Sequence, residues 1–172
     1  MCGLVSLQVV AEVVTRVRRE LREEITTDLL LETGRRRGFT LQGEMFSVFS
    51  LASLAREMLE VEVEVETADR LMDTAWLLDL LQSGGLVVLP YDCAPDSSVC
   101  LAGGERAHWG VVTGLIAPTS SPPPTCRPLP GVRGHYLLQS STDLQLSECQ
   151  ITDLVKVVVR QSKSLDLAIY SR

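Results

Sequence analysis

Cys2 and His108 are the residues of this chain best suited to nucleophilic chemistry. Cys2 is followed by Gly3 and by an apolar series, Leu4, Leu7, Val10, Val14 and Val17, whose members fall three or four apart. That spacing puts them on one face of a helix. The thiol therefore stands at or just ahead of a helix N-terminus. Unpaired backbone N–H groups and the positive end of the macrodipole favour a thiolate there. A thiolate attacking a carbonyl needs a base that takes its proton and later delivers it to the leaving amine. Imidazole, which titrates near neutrality, suits that role. The chain has two histidines, His108 and His135. His108 opens an apolar, strand-like run; Trp109 beside it can shield the ring, and Gly110 leaves room. His135 follows a proline-rich stretch and reads as a strand-edge residue. Each group also has a plain reading: Cys2 as a small buried thiol, His108 as a core histidine bonded to backbone, and Trp109 as a core aromatic. Spacing alone does not separate the two readings.

Other chemistries fit worse. The five cysteines (Cys2, Cys93, Cys100, Cys126 and Cys149) contain no C-x-x-C pair, and Cys93 and Cys100 are too far apart for a zinc knuckle. Gly84-Gly85 and Gly103-Gly104 lack the surroundings of a phosphate loop, and no nucleophile elbow is present. No cofactor or metal is expected. The odd cysteine count and the absence of a signal-peptide pattern point to reduced thiols in the cytoplasm. No apolar run approaches a membrane span. The formal charge of −6 argues against nucleic acid as a partner.

The elements that must position these groups follow from periodicity and caps. A first helix begins near Gly3 and extends towards Arg22. Thr26 or Thr27 is suited to cap a second over Asp28–Arg37, closed by Gly38. Ser47 caps a third, with Phe46, Phe49, Leu51, Leu54, Ala55, Met58 and Leu59 as its buried side. Val61–Glu66 alternates and predicts a half-buried strand. Thr67 caps a fourth helix carrying Leu71, Trp76, Leu77, Leu80 and Leu81, ended by Gly84-Gly85. Strands are predicted over Leu86–Pro90, Ala107–Ile116, Tyr136–Leu138 and Lys156–Arg160, the last turning at Ser162-Lys163 into Leu165–Tyr170. Asp92–Arg106 reads as a loop, and the proline-rich 117–131 as an insertion. Helices first and a mostly antiparallel sheet afterwards predict an α+β fold. At 172 residues the chain is expected to form a single domain, helical over about 1–83 and sheet over about 86–172.

Three blocks closely resemble the actin maturation proteases, a family of papain-like cysteine peptidases: Cys2-Gly3-Leu4-Val5-Ser6-Leu7, Arg37–Val48 with Gln42-Gly43-Glu44-Met45-Phe46-Ser47 inside it, and Ala107-His108-Trp109-Gly110-Val111. Arg160-Gln161-Ser162-Lys163-Ser164 is similar to their later strand and turn. The resemblance implies a papain-like fold and a cytosolic cysteine aminopeptidase that removes an acetylated methionine or cysteine from the actin N-terminus, with profilin at hand. It implies Cys2 as nucleophile and His108 as base. The family carries residues ahead of its nucleophile, including a glutamine suited to an oxyanion hole. Here Met1 alone precedes Cys2, so that donor is expected to be missing, at a cost on the order of a hundredfold in rate. The closing strand is expected to be incomplete at Arg172. The sequence has no asparagine to orient the histidine as papain-like enzymes do; Gln161, with Asp166 behind it, is the candidate. Actin N-termini are acidic, so Arg35, Arg36 and Arg37 are the candidate substrate contacts, with Trp109 beside the histidine. The plain reading of the arginines is a solvated helix end. A catalytically impaired relative or truncated form that binds actin or profilin is the alternative function.

Overall fold

The computed structural model describes residues 1–18, 24–96, 98–116, 127–128, 136–137, 156–161 and 167–171. The expected insertion 117–131 lies outside them apart from Arg127–Pro128, as do His135, Cys126, Cys149 and Asp166.

Helix α1 (Cys2–Arg18) begins at the candidate nucleophile. Leu4, Leu7 and Val10 are buried, as the spacing predicts, and Ser6, Val9 and Ala11 widen the buried face. A helix covered this broadly lies between other elements. It packs against α2 (Thr27–Arg36), α3 (Val48–Leu59) and strand β3 (Ala107–Ile116). The Thr26 hydroxyl caps α2 by accepting from the Leu29 N–H at 3.2 Å. Its far end closes with the Gly38 N–H donating to Arg35 O and the Phe39 N–H to Gly34 O. Gly38 has φ +71°, the left-handed conformation this closure requires. Ser47 caps α3, its hydroxyl accepting from the Ser50 N–H at 3.3 Å.

Three parts of the reading up to Gly85 need correction. Leu51, Leu54, Ala55 and Leu59 are buried, but Phe46 and Phe49 are 89% and 69% exposed. Val61–Glu66 forms no strand. Its valines are half-buried and its glutamates exposed, so the alternation is real. No strand among the described residues pairs with it; the Arg56 guanidinium donates to the Val63 carbonyl instead. The expected fourth helix is divided. A 3-10 turn over Ala68–Met72 follows Thr67, and α4 (Thr74–Gln82) starts separately. Thr67 makes no side-chain cap bond, whereas Asp73 Oδ1 accepts from the Trp76 N–H at 3.0 Å.

The main sheet has the order β2-β1-β3-β6-β7 and is antiparallel throughout. Its strands are β1 (Val87–Cys93), β2 (Val99–Cys100), β3, β6 (Lys156–Gln161) and β7 (Leu167–Ser171). The short strands β4 (Arg127–Pro128) and β5 (Tyr136–Leu137) pair separately. Strand β2, inside the expected Asp92–Arg106 loop, was not foreseen. It covers only Asp92 and Cys93 of β1, so the side of Pro90 away from β3 has no ladder to break. In β3, Trp109 and Val111 join the core formed by α1, α2 and α3. Alternation directs His108, Gly110 and Val112 to the other face. There Val112, Val159 of β6 and Leu77 of α4 are buried outside that core. The architecture is therefore α+β, with the N-terminal helices packed on an antiparallel sheet.

Candidate active site

Cys2 is the first residue of α1, half-buried, and His108 is the second residue of β3, also half-buried. The next residue of each element makes the contact between them. A Cβ placed on Gly3 would lie 2.8 Å from Met45 Cβ and 3.2 Å from Trp109 Cδ1. Glycine is required there because the helix start presses on both side chains. Cys2 and His108 are thus the chain neighbours of two residues in contact, Gly3 and Trp109; the Trp109 ring lies on the α1 side of the sheet, and alternation turns the His108 side chain to the other side.

The block holding Gln42-Gly43-Glu44-Met45 wraps the helix start. The Trp109 indole N–H donates to Met45 O at 2.7 Å. Gly43, at φ +101°, lies against the Met1 side chain and Leu31. Glu44 folds back on the same loop: one carboxylate oxygen accepts from the Leu41 N–H and the other from the Gln42 N–H, each at 2.7 Å. The buried Thr40 hydroxyl accepts from the Gly43 N–H at 2.7 Å. The bonds from Leu41, from its own amide and from Gln42 hold the Glu44 carboxyl at about 2, against an ordinary 4.5.

On the other side, Asp92 anchors the loop leading into His108. Its Oδ2 accepts from the Ala102 N–H at 2.8 Å and the Gly104 N–H at 3.0 Å. The bond from Gly104, then that from Ala102, holds this carboxyl below its ordinary range. The His108 ring packs at a tilt on Tyr91, with centroids 6.3 Å apart. A Cβ on Gly110 would meet Val159 Cγ1 at 2.5 Å and Tyr91 Cε1 at 3.2 Å. The room expected beside the imidazole is therefore occupied by Tyr91 and Val159. Neither Glu44 nor Asp92 was anticipated. Glu44 sits inside the most specific sequence block, which was its available signal; the amides that hold Asp92 lie ten and twelve residues away.

The remaining expected site residues divide. Gln161 ends β6 with its backbone beside Gly110, two residues beyond His108; its side chain lies outside the description. Trp109 does not line a substrate surface. It is 5% exposed, and its indole N–H is committed to Met45, so it supports the site from beneath. Arg35 Nε donates to Leu41 O at 2.8 Å, which brings its guanidinium to the Glu44 loop. Arg36 is exposed. Arg37 is held by Glu57 through two bonds of 2.9 Å, raising the guanidinium and lowering the carboxyl from their ordinary values. Cys2, Cys93 and Cys100 are free thiols. Among the described residues no group of three or more His, Cys, Asp or Glu side chains is placed to hold a metal, and no helix is long and apolar enough to cross a membrane.

Comparison with known proteins agrees with the blocks around this site. Residues 1–116 match a family described as "Actin maturation protease-like, C-terminal domain". A protein of Xenopus tropicalis named "Actin maturation protease" is 32% identical over 171 residues, covering 95% of this chain and 52% of the relative. Proteins of the same name from Danio rerio and Drosophila melanogaster are 33% and 30% identical, covering 67% and 69% of this chain but 36% and 40% of their own lengths. The chain thus spans about half the length of the first relative and less of the others. No solved structure matches it. The helix start, the loop folded over it and the whole of β3 fall inside the matched segment, and the chain belongs to the actin maturation protease-like family.

Proposed function

We propose that this domain is a thiol peptidase of papain-like fold that removes an acetylated N-terminal methionine or cysteine from immature actin. The observation that supports this most is the contact of Gly3 with Met45 and Trp109, because it packs the helix start bearing Cys2 against the residue next to His108; in this reading the imidazole, which alternation turns to the opposite face of the sheet, reaches the thiol past the end of β3. In this reading His108 takes the Cys2 proton, and the thiolate adds to the carbonyl carbon of the acetylated first residue. The imidazolium then protonates the departing amine of the second residue as the C–N bond breaks. A thioester on Cys2 remains. Water, giving a proton to His108, hydrolyses it and restores the thiol. Gln161 orients His108. Arg35 and Arg36 meet the acidic residues after the scissile bond, and Arg37 joins them when Glu57 releases it. The names of the relatives supply actin as the substrate. Profilin as an attendant partner and the cytoplasm as the site of action belong to the same reading.

The test is to incubate the protein with an acetylated actin N-terminal peptide and weigh the products. Loss of the acetylated first residue is expected with the parent chain and not with Cys2→Ser or His108→Ala. Charge reversal at Arg35, Arg36 and Arg37 should weaken cleavage of the acidic peptide and flatten its salt dependence. The absence of product, together with Cys2 alkylation that follows a free thiol and ignores His108→Ala, refutes the enzyme reading. Binding of the peptide without cleavage would mark a catalytically impaired, actin- or profilin-binding relative.

A further inference from the structure

Three large apolar side chains stand in water around the loop that covers the Cys2 helix start. Phe46 is 89% exposed, Leu41 80% and Phe49 69%. Leu41 is tied to the loop through its N–H bond to Glu44, and Phe46 follows Met45, whose Cβ meets Gly3. Phe49 lies in the first turn of α3, three residues further on. The fold makes no use of these side chains. Phe46 precedes the N-cap Ser47, a position from which an apolar residue ordinarily folds back onto the fourth helical residue. That residue, Leu51, is already buried, and Ser47 already caps the helix. Leu41, Phe46 and Phe49 fall within nine residues of chain, and large apolar side chains gathered on one exposed segment mark a contact surface.

The charge beside them indicates what they contact. Arg35 donates to the Leu41 carbonyl, and Arg36 follows it at the same helix end. Among the described residues neither forms a close ion pair: Glu57 is bonded to Arg37 and attracts Arg36 only at longer range, and the Glu44 carboxylate is committed to the Leu41 and Gln42 amides. In a chain of net charge −6, this is a local excess of positive charge next to an apolar edge. Its complement is a chain segment that is apolar at one point and acidic beyond it.

We propose that Leu41, Phe46 and Phe49, flanked by Arg35 and Arg36, form a docking surface for a polypeptide end carrying a large apolar residue followed by acidic ones, with Phe46 setting the preference for the apolar residue. This deepens the peptidase reading by naming side chains that select the substrate, and it is tested by binding, separately from hydrolysis. The probes are three dye-labelled peptides beginning acetyl-Met-Asp-Asp-Glu, acetyl-Ser-Asp-Asp-Glu and acetyl-Met-Lys-Lys-Lys, titrated by anisotropy against the Cys2→Ser chain at low and high salt. The first should bind at least about tenfold more tightly than either of the others. Phe46→Ser combined with Phe49→Ser should abolish the preference for methionine over serine and leave the salt-dependent preference for acid. Arg35→Glu should do the reverse, and Phe46→Leu should retain the methionine preference. Because both phenylalanines are exposed, the double variant should unfold at the parent midpoint.

Equal binding of the three peptides overturns the proposal. So does a methionine preference that survives the double variant, or a fall in its unfolding midpoint comparable to that of a core substitution. Self-association of the chain that is lost in Phe46→Ser would assign the surface to a second copy instead, and also overturns it. Selective binding without cleavage by the parent chain would uphold the docking surface and refute the peptidase reading. Cleavage without selectivity would do the opposite.

Discussion

Gly3→Ala tests the contact on which the site depends. The added Cβ would lie 2.8 Å from Met45 Cβ, 3.1 Å from Met45 Cγ and 3.2 Å from Trp109 Cδ1, where carbon atoms prefer roughly 3.5–4.0 Å. Neither neighbour yields easily. Met45 Cβ is fixed to a backbone whose carbonyl accepts from Trp109, between the Glu44 clamp and the Ser47 cap. The helix start must therefore move by several tenths of an ångström. Overpacking of this kind costs about 1–3 kcal/mol, and replacing a helical glycine with alanine returns about 1 kcal/mol. The net loss is about 0–2 kcal/mol, or up to about 1 M in urea midpoint. A displaced nucleophile is penalised more heavily, with losses on the order of a hundredfold for a misplacement near 1 Å. The expected signature is a large fall in kcat/KM on the acetylated peptide with a small fall in stability. Gly114→Ala is the control: its Cβ would meet only Val158 Cβ, at an ordinary 3.9 Å, and it should stay close to the parent in both measurements. A fully active, equally stable Gly3→Ala chain would refute the claim that this contact sets the position of Cys2.

Trp109→Phe leaves the Met45 carbonyl unpaired in a buried site, which costs about 1–3 kcal/mol and should lower Tm by roughly 2–12 °C in a chain of this size. A raised KM with unchanged Tm would return Trp109 to the substrate surface. Leu54→Ala, at a fully buried position, should cost about 2–5 kcal/mol in chemical denaturation, and a cost below about 1 kcal/mol would contradict the core described here. Glu44→Gln should lower stability above about pH 4.5, with the difference from the parent vanishing as pH falls through about 2. A difference that persists unchanged in acid would show that the Glu44 charge is not what holds the loop.

The features set by adjacent residues were legible in the sequence. The Thr26 and Ser47 caps, the Gly38 closure, the α1 stripe and the full extent of β3 all follow from neighbours in the chain. Features that depend on distant partners were not. Val61–Val65 alternates correctly, but alternation fixes which side is buried and cannot supply a pairing strand; a side chain of α3 takes the Val63 carbonyl instead. Phe46 counted as part of the α3 stripe although it precedes the cap and is not on the helix. Phe49 lies two residues from Leu51, about 200° around the helix, and so faces away from the core. Asp73 prevailed over Thr67 as a cap because its carboxylate reaches the Trp76 amide while the Thr67 side chain caps nothing. In the site, residue types indicated Cys2 and His108. The carboxylates holding the adjoining loops became visible only when the amides they accept from were placed in space.

Those two carboxylates bear on how a pH profile of this domain is to be interpreted. Glu44 gathers the loop over the Cys2 helix start, and Asp92 gathers the loop leading into His108; each accepts from at least two backbone amides. Both have folded pKa values below their ordinary 4.5 and 3.8. The stability they contribute is therefore fully present above those ordinary values and is lost only as pH falls towards the lowered ones. Across pH 5–9 both stay ionised and both loops stay closed on them. Any ionisation that controls cleavage or Cys2 alkylation in that range must then arise in other groups, with Cys2 and His108 the first to examine. A limb in strong acid belongs to the scaffold, and Glu44→Gln should alter that limb alone. If Glu44→Gln instead moved a limb near neutrality, the loop over the helix start would be coupled to the ionisation of the pair, and scaffold and chemistry would not be separable.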